Sequence, residues 1–170
     1  MRLFGKKTDA EDLIYEAVSY LEKGQPKIAI PILNNILKEE PKNTTALYNK
    51  GLALNQIRKY NDAITSFDKV LEINPNDTPS LNNKAIALAE LGRHKEAIEV
   101  FDNLLAKHKE NVNVLYAKSR SMAALEHTEE SLALLGQAIA KDSKTIKKWA
   151  KQEKIFEKLS DDERFRKLVT

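Results

Sequence analysis

Residues 44–77 read TTALYNKGLALNQIRKYNDAITSFDKVLEINPND, and the fold turns on this stretch. Leu47, Gly51 and Leu54 are spaced by four and three, and so are Ala63, Phe67 and Val70. That spacing sets each trio on one face of an α-helix. Between the trios stands the short turn Ile57-Arg58-Lys59-Tyr60, and after the second comes Asn74-Pro75-Asn76-Asp77. Proline there stops a helix, because it lacks the N–H that a continuing helix needs. The stretch is therefore two amphipathic helices, A and B, folded back as a hairpin.

The pattern continues in both directions without a gap. Ala10–Asn43, Thr44–Asp77, Thr78–Asn111 and Val112–Thr145 are consecutive rows of 34 residues. Position four holds Leu13, Leu47, Leu81 and Leu115, and position eleven holds Tyr20, Leu54, Leu88 and Met122. Position eight is small, as Ala17, Gly51, Ala85 and Ser119, and so is position twenty, as Ala29, Ala63, Ala97 and Ser131. Bulky residues follow at Leu33, Phe67, Phe101 and Leu135, then Ile36, Val70, Leu104 and Ala138. The small residues let the two backbones approach closely. A large side chain there overpacks the hairpin at roughly 1–3 kcal/mol.

The flanks agree with this reading. Further A–B turns show in Lys23-Gly24-Gln25-Pro26 and Leu91-Gly92-Arg93-His94, and Glu40-Pro41-Lys42-Asn43 links the first repeat to the second. Thr78-Pro79 reads as a cap followed by a first-turn proline. Pro31 falls inside the first B helix, where it removes a backbone hydrogen bond. Either that helix starts near Lys27, with Pro31 close to its first turn, or it kinks at Pro31. Residues 1–9 form a short N-terminal extension, residues 10–145 the four repeats (10–43, 44–77, 78–111 and 112–145), and residues 146–170 a capping helix and a short terminal helix.

The composition narrows the class. A chain of 170 residues suits one domain. With no cysteine, neither disulfides nor thiolate metal sites are possible. No run approaches the ~20 apolar residues of a membrane span, and Met1–Lys7 has only Leu3 and Phe4 as large apolar residues, so a cytoplasmic, soluble protein is expected. The net charge of +3 resides in residues 146–170, which hold eight Lys/Arg and five Asp/Glu. These charges alternate with Ile146, Trp149, Ile155, Phe156 and Leu159, the pattern of an amphipathic capping helix. Its aromatics Trp149, Phe156 and Phe165 are expected to be buried. Ser160 reads as the cap of a last short helix, with Asp161, Asp162 and Glu163 in its first turn.

No catalytic constellation is present. His94, His108 and His127 fall in turns or near helix ends, where surface positions are expected, without a second ligand at metal spacing. The five glycines form no phosphate loop. The expectation is a protein without enzyme activity, cofactor, metal or small-molecule substrate.

The period, the helical hairpins and the small-residue positions resemble the tetratricopeptide repeat family. Residues 47–51, 60–64, Phe67 and Asn74-Pro75 carry the resemblance best; the fourth repeat departs from it with Ser119, Ser131 and Ser143. The fold it implies is all-α, an α-solenoid of antiparallel helix pairs in a right-handed superhelix with a C-terminal capping helix. The resemblance further implies a concave groove lined by the A helices. Read onto this chain, its candidate residues are Tyr15, Tyr48, Asn49, Leu52, Asn82, Asn83, Ile86, Tyr116 and Arg120.

Asn49 and Asn83 share one repeat position, so they should stack as a ladder whose amides can pair with a peptide backbone. Tyr48 and Tyr116 offer flat amphipathic contact area. A cationic clamp of the chaperone-binding kind is not expected, because Ile14, Val18, Pro79 and Asn83 occupy its positions and only Asn49 fits; Arg120 is the one cation left in the groove, free to meet a single carboxylate.

The expected function is a protein–protein interaction scaffold that takes an extended peptide or partner segment. Its partner is a protein or peptide, with no membrane and no nucleic acid expected, and the chain is a monomer or weak homodimer. Two alternatives stand beside this. One is self-association through the first-repeat edge, with Leu3 and Phe4 involved. The other is weak nucleic-acid binding through the basic C-terminal segment. Residues 156–168 either cap the last hairpin or occupy the groove.

Overall fold

A computed structural model describes residues 9–170. The described chain is all-α, built of consecutive antiparallel helix pairs, with no strand. The A helices are α1 (Ala10–Glu22), α3 (Thr44–Gln56), α5 (Thr78–Glu90) and α7 (Val112–Ala124). The B helices are α2 (Pro26–Glu39), α4 (Tyr60–Ile73), α6 (His94–Lys107) and α8 (Thr128–Lys141). Each A helix has 13 residues and each B helix 14, at the same positions of every repeat. Helix α9 (Ser143–Gln152), a 3-10 helix (Lys154–Leu159) and α10 (Glu163–Val169) complete the chain. The expectation that Leu3 and Phe4 cover or pair the first-repeat edge lies outside the described residues.

The identical helix lengths have two local causes. The first is a left-handed residue at position fifteen of every repeat, namely Gly24, Arg58, Gly92 and Glu126, with φ of 68°, 60°, 78° and 63°. The next N–H then reaches back to close the A helix. Gln25, Lys59, Arg93 and His127 donate to the carbonyls of Tyr20, Leu54, Leu88 and Met122 at 2.8–2.9 Å, the hydrogen bond of a Schellman motif. The second is a side-chain cap before the next A helix. Asn43, Asp77 and Asn111 accept from the backbone N–H of Ala46, Ser80 and Val114 at 2.9, 2.9 and 3.2 Å.

Asp77, not Thr78, is therefore the cap of α5, because its carboxylate reaches the third residue of the helix and Thr78 is already helical. Asp162 likewise replaces Ser160 as the cap of α10, accepting from Arg164 N at 2.8 Å, while Ser160 closes the 3-10 helix. Pro31 sits inside α2, which starts at Pro26. Its missing bond falls just past the first turn, on an exposed face, and the helix continues to Glu39. Helix α9 begins at Ser143, capped by Asp142 through Thr145 N at 3.1 Å, so a single residue separates it from α8.

The chain divides into two compact units, Met1–Ala87 and Leu88–Thr170. In the first, α1 packs on α2, α2 on α3 and α3 on α4. Its core holds Ala17, Leu21, Ala29, Leu33 and Ile36 with Ala46 and Ala53 of α3, and Leu54, Ala63 and Phe67 form a second cluster. In the second unit, α6 packs on α7, α7 on α8 and α8 on α9, while α10 lies against α8 and α9. Leu115, Leu135, Ala138, Ile146, Phe156 and Phe165 meet in one core there. The terminal helix thus caps the last hairpin, with Leu168 set over Gly136.

Candidate functional site

In the first unit the candidate residues lie on α1, α3 and α5. Tyr15 is 81% exposed and is the most open large hydrophobic side chain of the described residues. Tyr48 is half-buried, its ring 5.9 Å from Phe67, and its hydroxyl accepts from Asn83 Nδ2 at 3.1 Å. Burial, then Asp77, raises the Tyr48 phenol above its ordinary value, while the Asn83 bond opposes them. Leu52 and Ile86 are half-buried.

The two asparagines at this repeat position each make the same local hydrogen bond. Asn49 Nδ2 donates to Thr45 O and Asn83 Nδ2 to Pro79 O, each at 2.9 Å and four residues back. A carbonyl only accepts, so these bonds fix the amide orientation. Asn83 has both N–H groups engaged, by Pro79 and Tyr48, which leaves its oxygen for a ligand. Asn49 is 9% exposed and keeps one N–H and its oxygen.

Two further amide oxygens stand out. Asn82 Oδ1 on α5 and Asn55 Oδ1 on α3 are buried and have no hydrogen-bond donor. Buried acceptors of this kind are nearly always satisfied in native proteins. The repeat resemblance implies both as groove positions, Asn82 at position five of the third repeat and Asn55 at position twelve of the second.

The second unit arranges its candidates differently. Tyr116 is only 8% exposed, because Trp149 and Phe156 cover it with ring centroids 5.5 and 6.2 Å away. It therefore offers core packing in place of the expected contact area. Burial first and Glu153 second push its phenol up to about 12, with Arg120 opposing. Arg120 was expected to meet a carboxylate from outside, and it meets two from its own chain. Its Nη2 donates to Glu90 Oε1 at 2.9 Å, and Nε lies 2.8 Å from Glu153 Oε2. Burial works against the guanidinium, yet Glu153 and then Glu90 hold its pKa above the ordinary value.

Around this pair lies a cavity of about 310 Å³ lined by His94, Ser121 and Lys154 among others. His94, expected at the surface, is half-buried with its Nδ1 unpartnered; burial and Arg120 lower its pKa while Glu90 opposes. Phe156 and Phe165 are buried as expected, but Trp149 is 40% exposed, its ring tilted 51° to that of Tyr116. In the basic tail, Lys158, Arg164 and Lys167 pair with Glu126, Glu129 and Glu163 at 3.0, 2.6 and 2.8 Å. No group of three or more metal-ligating side chains occurs among the described residues.

Tandem helical hairpins in one 34-residue register, two of them with amide-rich A helices, define an all-α repeat scaffold, a class that works by binding other proteins. The chain belongs to the tetratricopeptide repeat family, since residues 13–127 match the family described as Psidin, N-terminal TPR repeats region. Among solved structures, the chain is similar to "MamA 41-end from Desulfovibrio magneticus RS-1", with 22% identity and a TM-score of 0.75 over 98% of this chain and 96% of that one. A "MamA RS-1 ArsTM double mutant" gives 23% identity and a TM-score of 0.77 over 98% and 92%. "MamA MSR-1 C2" gives 26% and 0.69 over 81% and 79%. A comparison with curated proteins gives no match. Scaffolds of this family are generally non-enzymatic, and no helix of the described residues is long and apolar enough to cross a membrane.

Proposed function

We propose that the α1–α3–α5 face of the first unit binds an extended segment of a partner protein through its main chain. The observation that carries this reading is the Asn83 amide, whose two N–H groups are held by Pro79 and Tyr48 so that its oxygen is left for a donor. An extended peptide presents an N–H at every second residue on one side, and one such donor would satisfy this oxygen. The free N–H and oxygen of Asn49 add further main-chain partners. Tyr15 supplies an exposed ring on which a side chain of the segment can pack. Backbone recognition of this kind reads conformation more than sequence, so the segment is bound extended and with modest side-chain preference.

Under this reading the chain is a cytoplasmic scaffold without catalysis, cofactor or small-molecule substrate. Selection of random displayed peptides on the wild-type protein tests it. Enriched peptides should lose at least about tenfold in affinity for Asn82→Ala/Asn83→Ala and for Tyr15→Ala, with the folded state retained by circular dichroism. Equal binding to all three proteins would move the working surface off this face.

A further inference from the structure

Two ion pairs mark junctions between repeats, one in each unit. Lys84 Nζ lies 2.6 Å from Asp68 Oδ1, and Lys118 pairs with Asp102. In both, the lysine is position seven of its repeat and the aspartate is position twenty-five of the repeat before. The junction between the first two repeats breaks this series. Position seven is again lysine, Lys50, but position twenty-five is Asn34. Among the described residues Lys50 belongs to no ion pair.

What surrounds Lys50 is an open cleft of about 420 Å³ between α2, α3 and α4. Lys59 and Lys69 also line it, against one carboxylate, Asp62. The hydroxyls in its wall are already committed: Thr65 Oγ1 donates to Asn61 O at 3.1 Å and Ser66 Oγ to Asp62 O at 3.0 Å. That leaves the three ammonium groups and the Asn34 amide as donors. Ile30 and Leu47 give the cleft an apolar wall. Burial, then Lys69, lowers the Lys50 pKa, with Asp62 opposing. The surroundings of Lys50 are thus short of negative charge.

We propose that this cleft binds a phosphate monoester, whose dianion takes the place that Asp68 and Asp102 fill at the later junctions. Three lysines against one aspartate leave two positive charges, which match the charge of about −1.5 to −2 on a monoester near pH 7. A carboxylate brings half of that charge and only two oxygens. The apolar wall suits the organic body that carries the phosphate, so inorganic phosphate alone lacks part of the fit. A phosphorylated side chain and a small phosphoester share this chemistry.

The test is an amide chemical-shift titration with phenyl phosphate, inorganic phosphate and benzoate, beside a short peptide carrying one phosphotyrosine. Phenyl phosphate should give saturable shifts at Asn34, Lys50 and Lys69, and should bind more tightly than benzoate or inorganic phosphate. Asn34→Asp restores the carboxylate of the other junctions, so the fold stays intact while affinity falls by at least about tenfold. Lys50→Gln should do the same by removing the central cation. Tighter binding of the phosphopeptide than of phenyl phosphate assigns the site to a phosphorylated protein; the reverse assigns it to a small phosphoester. Absent saturation, an Asn34→Asp variant that binds as well as wild type, or benzoate binding as tightly as phenyl phosphate, would each overturn the proposal. None of these residues lies among Tyr15, Asn49, Asn82 and Asn83, so the two sites fail or succeed separately.

Discussion

The ring of Phe67 on α4 rests against Gly51 on α3 so closely that a Cβ at Gly51 would stand 2.5 Å from Phe67 Cε1. Phe67 is fully buried, so its ring has nowhere to go. Alanine favours a helix over glycine by about 1 kcal/mol, yet here the clash opposes that gain. Overpacking costs roughly 1–3 kcal/mol, so Gly51→Ala should lower stability despite its better propensity. Gly51→Leu should lower it further. Urea denaturation of both variants checks the order, and a stabilised Gly51→Ala would refute the close approach.

Arg58 holds the same left-handed turn position as Gly24 and Gly92, but with a side chain. That conformation costs a non-glycine residue about 1–2 kcal/mol, and glycine in turn loses up to about 1 kcal/mol through the greater freedom of its unfolded chain. Arg58→Gly should therefore stabilise the first unit by up to about 1 kcal/mol. Glu126→Gly should act in the same direction in the second unit, less the exposed Lys158 pair, which contributes little. Midpoints of thermal unfolding that fall in both variants would contradict this account of the turn.

How much of this was legible in the sequence follows the range of the interactions. The 34-residue register fixes where each helix starts and stops, because period, proline and small residues act within one hairpin. The turn at Arg58 was read as a turn but not as a left-handed one, since only glycine announces that conformation and Arg58 and Glu126 hide it. The caps were misplaced by one residue at Asp77 and by two at Asp162, where several capping residues stand in a row and geometry alone selects one. Of the candidate site, the exposed Tyr15 and the local bonds of Asn49 and Asn83 follow from helix position. The burial of Tyr116 does not, because it depends on Trp149 and Phe156 returning from more than thirty residues away.

That burial has a pH signature. The Tyr116 phenol is pushed up to about 12 from 10.0, chiefly by burial and then by Glu153. A folded-state value above the unfolded one means that the neutral phenol adds stability in full below pH 10 and loses it as pH rises from 10 to about 12. A spectrophotometric titration of the native protein should show a tyrosine ionising near pH 12, and Tyr116→Phe should abolish that step. A titration identical in both proteins would mean that the tail leaves Tyr116 in water.

Glu153 is the hinge of this arrangement, since it touches Arg120 and also holds up the Tyr116 phenol. Glu153→Gln preserves its shape and removes its charge. Arg120 then keeps Glu90 but loses its second carboxylate. The side chains of Arg120 and Glu153 are both 26% exposed, which screens the pair, so the expected loss is that of a partly exposed ion pair, up to about 1 kcal/mol. The late tyrosine step should move to lower pH in the same variant, because one of the two causes that raise it is gone. In an Arg120→Ala background the Glu153→Gln change should cost less than it does in wild type, since the partner is already absent. Additive losses in that double-mutant cycle, with an unmoved tyrosine step, would show that Glu153 acts on neither residue.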